Sequence, residues 1–252
     1  MKCVILAAGY ATRLYPLTEN FPKPLLEVAD KPILDWLIDD MAQTGKIDEY
    51  IVISNHKFAH IFEEWASKSK NKITVIDDGT SSNETRLGAV KDILFAIEQL
   101  QLDDDLLVMA GDNLLDFSLA DFIKYGQQKN ATCVMRYYEP DEAKLHKSGV
   151  AEVTDDDLLV AMQEKPAEPK SHWCVPAFYY YTKEDSHLIK KGIESGCGTD
   201  APGSFITWLC GQTKVYAWEM PGKRYDIGNL ASYEEVKKTF AGTLNLSQRS
   251  HL

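Results

Sequence analysis

Two basic residues, Arg13 and Lys23, stand in a long irregular stretch over 6–26 that reads LAAGYATRLYPLTENFPKPLL. The apolar run before them ends at Gly9, where a missing side chain lets backbone N–H groups approach an anion closely. Lys23 lies between Pro22 and Pro24, whose fixed φ angles limit its wandering. Convergent cations beside such a glycine suit phosphate, although each alone is equally a solvated surface charge. The stretch is not a P-loop, since no G-K-[ST] closes it. Its single glycine does not make the G-x-G-x-x-G dinucleotide fingerprint either. Three further stretches carry chemistry-bearing side chains: Asp112 in VMAGDN, Lys165 in QEKP and Asp226 in RYDIGN. Each has a bland alternative when read singly: Asp112 as a turn cap, Lys165 as a solvated charge and Asp226 as a turn residue.

The elements that must hold these residues follow from periodicity. KCVILAA, EYIVISNH, KITVIDD and DLLVMAGDN are continuous apolar runs of the kind found in buried parallel strands. Between them, KPILDWLIDDMAQTG, KFAHIFEEWASKS and TRLGAVKDILFAIEQL keep the helical 3/4 spacing. Strands alternating with helices predict an α/β fold, a mostly parallel sheet with helices on both faces. From about residue 131 the pattern shortens. ATCVMRYY, GVAEVT, LLVAMQEK and WCVPAFYYYT read as short strands, with TDDD a turn between two of them. KEDSHLIKKGIES, APGSFITWLCGQ and LASYEEVKKTFAG read as helices, and the last ten residues lack periodicity. In open α/β sheets ligands bind beyond the carboxyl ends of strands. The Gly9–Lys23 loop, AGDN and the loop carrying Asp226 are all expected there.

These stretches together resemble the sugar-1-phosphate nucleotidylyltransferases. The 6–26 segment is close to L-A-A-G-x-G-T-R-L-x-P-L-T-x-x-x-P-K-P-L-L, and GDN, EKP and YDIGN extend the resemblance along nearly the whole chain. It is most marked towards the glucose-1-phosphate thymidylyltransferase kind. The resemblance implies a Rossmann-like, GT-A-like nucleotidyltransferase fold with an irregular C-terminal sugar-binding lobe. No obvious linker divides the chain, which reads as one domain over 1–241 with a tail at 242–252 expected to fray; within it the resemblance makes 1–130 the nucleotide-binding half and 131–241 the sugar-binding half. The implied reaction joins a nucleoside triphosphate, dTTP or UTP, to a sugar 1-phosphate, glucose 1-phosphate first, and releases pyrophosphate.

Residue roles are implied by the same resemblance. Leu6, Ala8 and Gly9 would hold the nucleotide, Arg13 the β and γ phosphates and Lys23 the α phosphate. Asn83 and Gly88 would meet the base, with Arg86 an alternative to Asn83. Asp112 and Asp226 would hold Mg²⁺. Asn113, Gly149, Glu164, Lys165 and Tyr179 would meet the sugar phosphate, with Lys165 on its phosphate. Two departures stand out. Ala11 occupies the place of a second family glycine, and Pro176-Ala177 replaces a Thr-Gly pair before FYYY. The residue types suit the chemistry: a phosphate monoester is mostly dianionic at neutral pH and needs no general base. The obstacle is charge, so catalysis rests on positioning and neutralisation. The altered 176–177 pair motivates an alternative, cytidylyl transfer to a phosphorylated alcohol such as phosphocholine. A non-catalytic sensor of nucleotide sugars is a further alternative from another class.

Composition narrows the classes. The 252 residues carry a formal net charge of -11, which opposes nucleic acid as the main partner. Five cysteines, none in C-x-x-C spacing, read as buried free thiols in a reducing compartment. The first apolar run is too short for a signal sequence and none reaches the ~20 residues of a membrane span. A soluble cytoplasmic protein is expected, with no acyltransferase β-helix after the closing helix. His56 and His60, four apart on the helix expected near 57–69, lack an acidic partner and read as a solvated face.

Overall fold

The computed structural model describes residues 1–243; the rest of the tail expected to fray lies outside the described residues. The chain divides into two compact units and passes between them four times. One unit holds Met1–Arg86, Ala110–Asp121 and the stretch from Pro221; the other holds Leu87–Met109 and Phe122–Met220.

In the first unit, β1 (Lys2–Leu6), a two-residue hairpin of β2 (Glu27–Val28) and β3 (Lys31–Pro32), α1 (Ile33–Ala42), β4 (Glu49–Ser54), α2 (Ala59–Ser67) and β5 (Ile73–Asp77) follow in order. Parallel strands need a crossover, and the helices supply it. Lys2 of β1 pairs with Glu49 of β4 and Leu6 with Ile53, all in parallel. Strand β4 pairs in the same sense with β5. The apolar spacing expected of α1 buries Ile33, Leu34, Leu37, Ile38 and Met41.

The second unit begins with α3 (Ala89–Leu100) and β6 (Leu106–Ala110), whose last residue returns to the first unit. Back in the first unit come β7 (Asn113–Leu115) and the start of α4 (Ala120–Lys129). The second unit resumes with β8 (Thr132–Tyr138), α5 (Glu142–Leu145), β9 (Gly149–Val153), β10 (Leu159–Glu164), β11 (Trp173–Val175) and β12 (Phe178–Tyr181). Three short helices, α6 (Lys183–Ser186), α7 (Ile189–Glu194) and α8 (Gly203–Leu209), lead to β13 (Val215–Glu219). The first unit then closes with β14 (Arg224–Asp226) and α9 (Leu230–Thr239).

The α/β class stands. The shorter runs after residue 131 form antiparallel pairs: β10 with β9, β11 with both β9 and β8, and β12 with β8 and β6. Strand β13 joins this group in parallel, on β8. The TDDD turn falls where expected, closed by the Thr154 N–H on the Leu158 carbonyl. WCVPAFYYYT is not one strand. Pro176 has no N–H for a ladder, and the run divides into β11 and β12 around it. KEDSHLIKKGIES likewise divides into α6 and α7. No helix among the described residues is long and apolar enough to cross a membrane. All five cysteines are free; Cys3, Cys133 and Cys174 are buried, whereas Cys197 and Cys210 are only partly so.

Candidate active site

The first unit gathers one set of the residues singled out above. Leu6 ends β1, and its carbonyl accepts the Gly111 N–H at 3.1 Å. A side chain at Gly111 would lie 2.9 Å from Ile5 and 3.5 Å from Pro24. That glycine therefore lets the GDN segment close onto both β1 and the proline after Lys23. The Ala8 carbonyl accepts from the buried Asn55 side chain at 3.0 Å, and the Tyr10 hydroxyl donates to the Thr80 carbonyl at 3.2 Å. The first loop is thus tied to the carboxyl ends of β4 and β5. Gly9 is exposed, and nothing lies within 4 Å of the place a Cβ would take.

Past Gly9 the loop is ordered by two single turns, Thr12–Leu14 and Lys23–Leu25. Ala11 adopts φ 46° and ψ 42°, the left-handed region where glycine is at ease. This accounts for the glycine that the family pattern carries there. The Thr18 hydroxyl donates to the Ala11 carbonyl at 2.8 Å, holding the turn. Arg13 is exposed on the first turn. Lys23 is 7% exposed, and its ammonium donates to Asp112 Oδ2 at 2.7 Å. A buried ammonium needs such a partner.

Asp226 joins this pair through the sheet. Strands β7 and β14 are antiparallel, with Asp226 opposite Asn113 and Arg224 opposite Leu115. Asn113 is buried; its amide donates to Asp112 Oδ1 at 3.0 Å and its carbonyl oxygen accepts from Arg224 at 2.7 Å. Arg224 also lies 3.3 Å from Asp226 Oδ1. Asp112, Asn113 and Asp226 thus occupy neighbouring places, with Lys23 and Arg224 on their flanks. Two carboxylates suit Mg²⁺, which takes one or two of them and fills its octahedron with waters and phosphate oxygens. Among the described residues no group of three or more His, Cys, Asp or Glu forms a metal cage.

The second unit holds the other set. Glu164 ends β10 and Lys165 follows it with φ 47°, exposed, its N–H on the Ser148 carbonyl at 3.0 Å. Burial pushes the Glu164 carboxyl up; Lys165 beside it opposes this and Asp200 reinforces it. Gly149 lies against Glu164 and Met162: a Cβ there would meet Met162 Cε at 2.5 Å and Glu164 Oε2 at 3.4 Å. Tyr179 is 2% exposed in β12, its ring 5.9 Å from that of Tyr181. Burial, then the charge of Glu164, pushes its phenol well up. Gly88 precedes α3 with φ +92°, and a Cβ there would lie 2.5 Å from the Thr199 carbonyl oxygen. The first α3 amides, Ala89 and Val90, donate to the Asp200 and Thr199 carbonyls. Asn83, in the first unit, is exposed and accepts from Arg86 at 3.3 Å.

Some working residues escaped the sequence reading. Asn55 and Thr18 fix the loop, but a buried asparagine after a strand and a threonine in a loop announce nothing by spacing. Arg224 stood inside the quoted RYDIGN and received no role, because its hydrogen-bond partner Asn113 is more than a hundred positions away. His56 is a correction. Helix α2 begins only at Ala59, and His56 precedes it, with Nδ1 2.6 Å from Asp77 Oδ2. The Asp77 hydrogen bond and charge push this imidazole up.

A sequence profile described as nucleotidyl transferase matches residues 2–242. Among curated proteins, the chain is 30% identical to the bifunctional protein GlmU of Methanocaldococcus jannaschii, over 97% of this chain and 55% of that one. It is 28% identical to the UTP–glucose-1-phosphate uridylyltransferase AglF of Haloferax volcanii, over 94% and 96%. It is 27% identical to a glucose-1-phosphate thymidylyltransferase of Streptomyces antibioticus, over 95% and 66%. The chain thus spans about half of the GlmU protein and nearly all of AglF. Similar solved structures include a UDP-glucose pyrophosphorylase complexed with UDP-glucose, with TM-score 0.79 at 21% identity over 95% of this chain and 97% of that one. A UTP-bound UGPase from Acinetobacter baumannii reaches TM-score 0.76 at 18% identity, over 95% and 92%. At these identities the structural likeness shows the fold.

Proposed function

The chain belongs to the nucleotidyl transferase family, and from that premise we propose that it joins a nucleoside triphosphate to a sugar 1-phosphate. UTP or dTTP and glucose 1-phosphate are the first choices, supported by the names of the uridylyl- and thymidylyltransferase relatives. The observation that carries the reading is the buried Lys23 ammonium 2.7 Å from Asp112, with Asp226 on the strand beside Asn113. This is a charge-handling array. In the proposed step an oxygen of the sugar phosphate attacks the α-phosphorus. The bond from that phosphorus to the bridging oxygen breaks, and pyrophosphate leaves with the electron pair.

Each residue has a part set by its chemistry. Lys23 balances charge on the α-phosphate, exchanging Asp112 for a phosphate oxygen. Arg13, exposed and planar, suits bidentate contact with the β and γ phosphates. Gly9 leaves room for phosphate oxygens close to the backbone. Lys165 receives the sugar phosphate, and Glu164 accepts from sugar hydroxyls. Asp112 and Asp226 would hold Mg²⁺, which supplies charge neutralisation at phosphate oxygens when bound.

A pyrophosphate-release screen of four nucleoside triphosphates against sugar 1-phosphates and phosphocholine tests the reading. Turnover with a uridine or thymidine nucleotide and a hexose 1-phosphate is expected. Lys23→Ala is expected to lower kcat by about 10²–10³, the scale of losing one transition-state donor. Turnover with CTP and phosphocholine alone establishes the cytidylyl alternative. Tight binding of an NDP-sugar without turnover establishes a sensor.

A further inference from the structure

Arg224 has no counterpart among the roles assigned above, yet it sits where the two candidate metal ligands are joined. One guanidinium nitrogen, Nη1, lies 2.7 Å from Asn113 Oδ1 and 3.3 Å from Asp226 Oδ1. The other end of Asn113 donates to Asp112 Oδ1, and Asp112 Oδ2 receives Lys23. Hydrogen bonds therefore link Lys23, Asp112, Asn113 and Arg224 in a row, and an ion pair carries the row on to Asp226. The register explains it. Arg224 and Asp226 are two residues apart on β14 and share a face, as do their opposite numbers Leu115 and Asn113. Arg224 reaches diagonally to Asn113 and along its own strand to Asp226.

Burial makes this geometry firm on one side and loose on the other. Asn113 is 4% exposed and the Arg224 side chain 20%, whereas the Asp226 side chain is 63% exposed. A carboxylate that open has no packing to fix its rotamer. The Arg224 contact is one that can. It takes Oδ1, and Oδ2 lies towards Gly228, where a Cβ would be 3.8 Å away. One carboxylate oxygen is therefore held by the protein while the other faces a residue without a side chain. In Asp112 both oxygens are engaged, Oδ1 by Asn113 and Oδ2 by Lys23.

We propose that Arg224 is a positioning residue for the metal site: through Asn113 and Asp226 it sets the spacing of the two carboxylates before a divalent ion arrives. The proposal rests on the reading of Asp112 and Asp226 as metal ligands. A partner of this kind, holding a ligand's second oxygen, commonly changes metal affinity by 10–100-fold when removed. A lysine in its place keeps the charge but carries it on a flexible stem, without the planar guanidinium that fixes where Nη1 lies between Asn113 and Asp226.

The test is Mn²⁺ binding to the whole protein, read from the free-ion EPR signal, with Arg224→Gln, Arg224→Lys and Asp226→Asn beside the parent. The half-saturating Mg²⁺ and the kcat at saturating Mg²⁺ are measured in parallel. At least tenfold weaker Mn²⁺ binding is expected in both Arg224 variants. Half-saturating Mg²⁺ should rise similarly, with kcat at saturation kept within about threefold. Unchanged or tighter Mn²⁺ binding in Arg224→Gln overturns the proposal, since Arg224 then merely competes with the ion. Full recovery in Arg224→Lys overturns it too, because charge alone suffices. A rise in KM for nucleotide or sugar phosphate with Mg²⁺ activation unmoved makes Arg224 a substrate ligand instead. Parent and Asp226→Asn binding Mn²⁺ alike sinks the metal reading itself, and the proposal with it. Should Arg224→Gln fail to fold, Arg224→Lys still gives the deciding number.

Discussion

Glycine at position 9 and its absence at position 11 are best understood as opposite cases. No protein atom would touch a Cβ at Gly9, so folding alone does not demand a glycine there. Gly9→Ala is expected to change stability by less than about 0.5 kcal/mol while sharply raising KM for the nucleotide. Equal losses in a urea melt and in KM would show that the glycine serves the fold. Ala11 is the reverse: it pays for a left-handed backbone that costs an L residue about 1–2 kcal/mol. Ala11→Gly is expected to stabilise the fold by about 1 kcal/mol, seen as a higher urea midpoint, after the greater freedom of glycine in the unfolded chain is set against the relief. An unchanged midpoint would mean the surrounding turn absorbs the strain. Glu164 gives a prediction in pH. Its carboxyl titrates above the ordinary glutamate range, because burial disfavours the charged form. The ionised acceptor is therefore present only above that raised midpoint. Activity against the sugar phosphate, as kcat/KM, should fall on acidification earlier than an exposed glutamate allows. The sugar phosphate also titrates near pH 6, so Glu164→Gln is the control: it should keep the phosphate limb and lose the other.

At the level of elements, Gly88 shows that a motif residue can carry a structural need besides the role its motif implies. The resemblance gave it a contact with the base. The structure supplies a separate need, since its φ is +92° and the Thr199 carbonyl occupies the space of a side chain. Gly88→Ala is expected to destabilise by about 3 kcal/mol or more, through strain and backbone displacement together. Thermal unfolding checks it, and a Tm equal to the parent's would refute the steric account. The strands and helices of the first unit were legible because each carries its own period: continuous apolar runs for β1, β4 and β5, 3/4 spacing for α1 and α2. The hairpin of β9 and β10 was legible from its turn. The division at Pro176 was missed because the aromatic content of 173–181 outweighed one proline. His56 was placed on a helix because spacing does not say where a helix starts. Lys23 and Asp112 were each visible as motif residues, but their 2.7 Å contact was not, and neither was Arg224. Such contacts join distant positions, and local pattern carries no record of them.

The molecule as a whole is interleaved, and that has consequences no single element shows. The first unit is completed only by the stretch from Pro221, which returns after the chain has built the second unit. One core cluster of the first unit contains Leu14, Leu26, Val28, Ile33 and Leu114 from the earlier segments. Ile227, Tyr233, Val236 and Phe240 come to it from the last. The Tyr233 hydroxyl donates to the Glu27 carbonyl at 2.7 Å, and the Phe240 ring meets Trp36 edge-on at 5.2 Å. Four large apolar side chains at about 1.5–3 kcal/mol each amount to roughly 6–12 kcal/mol of burial. That is of the order of a whole domain's stability, about 5–15 kcal/mol. Truncation after Met220 is therefore expected to loosen residues 12–36 although none of them is altered. Amide hydrogen exchange is the measurement, because it reports local opening segment by segment. Protection over 12–36 should collapse in the truncated chain and return when a peptide of residues 221–243 is added. Retained protection over 12–36 would show that the cluster stands on its earlier members alone. Recovery without the peptide's Tyr233 and Phe240 would place the deciding contacts at Ile227 and Val236.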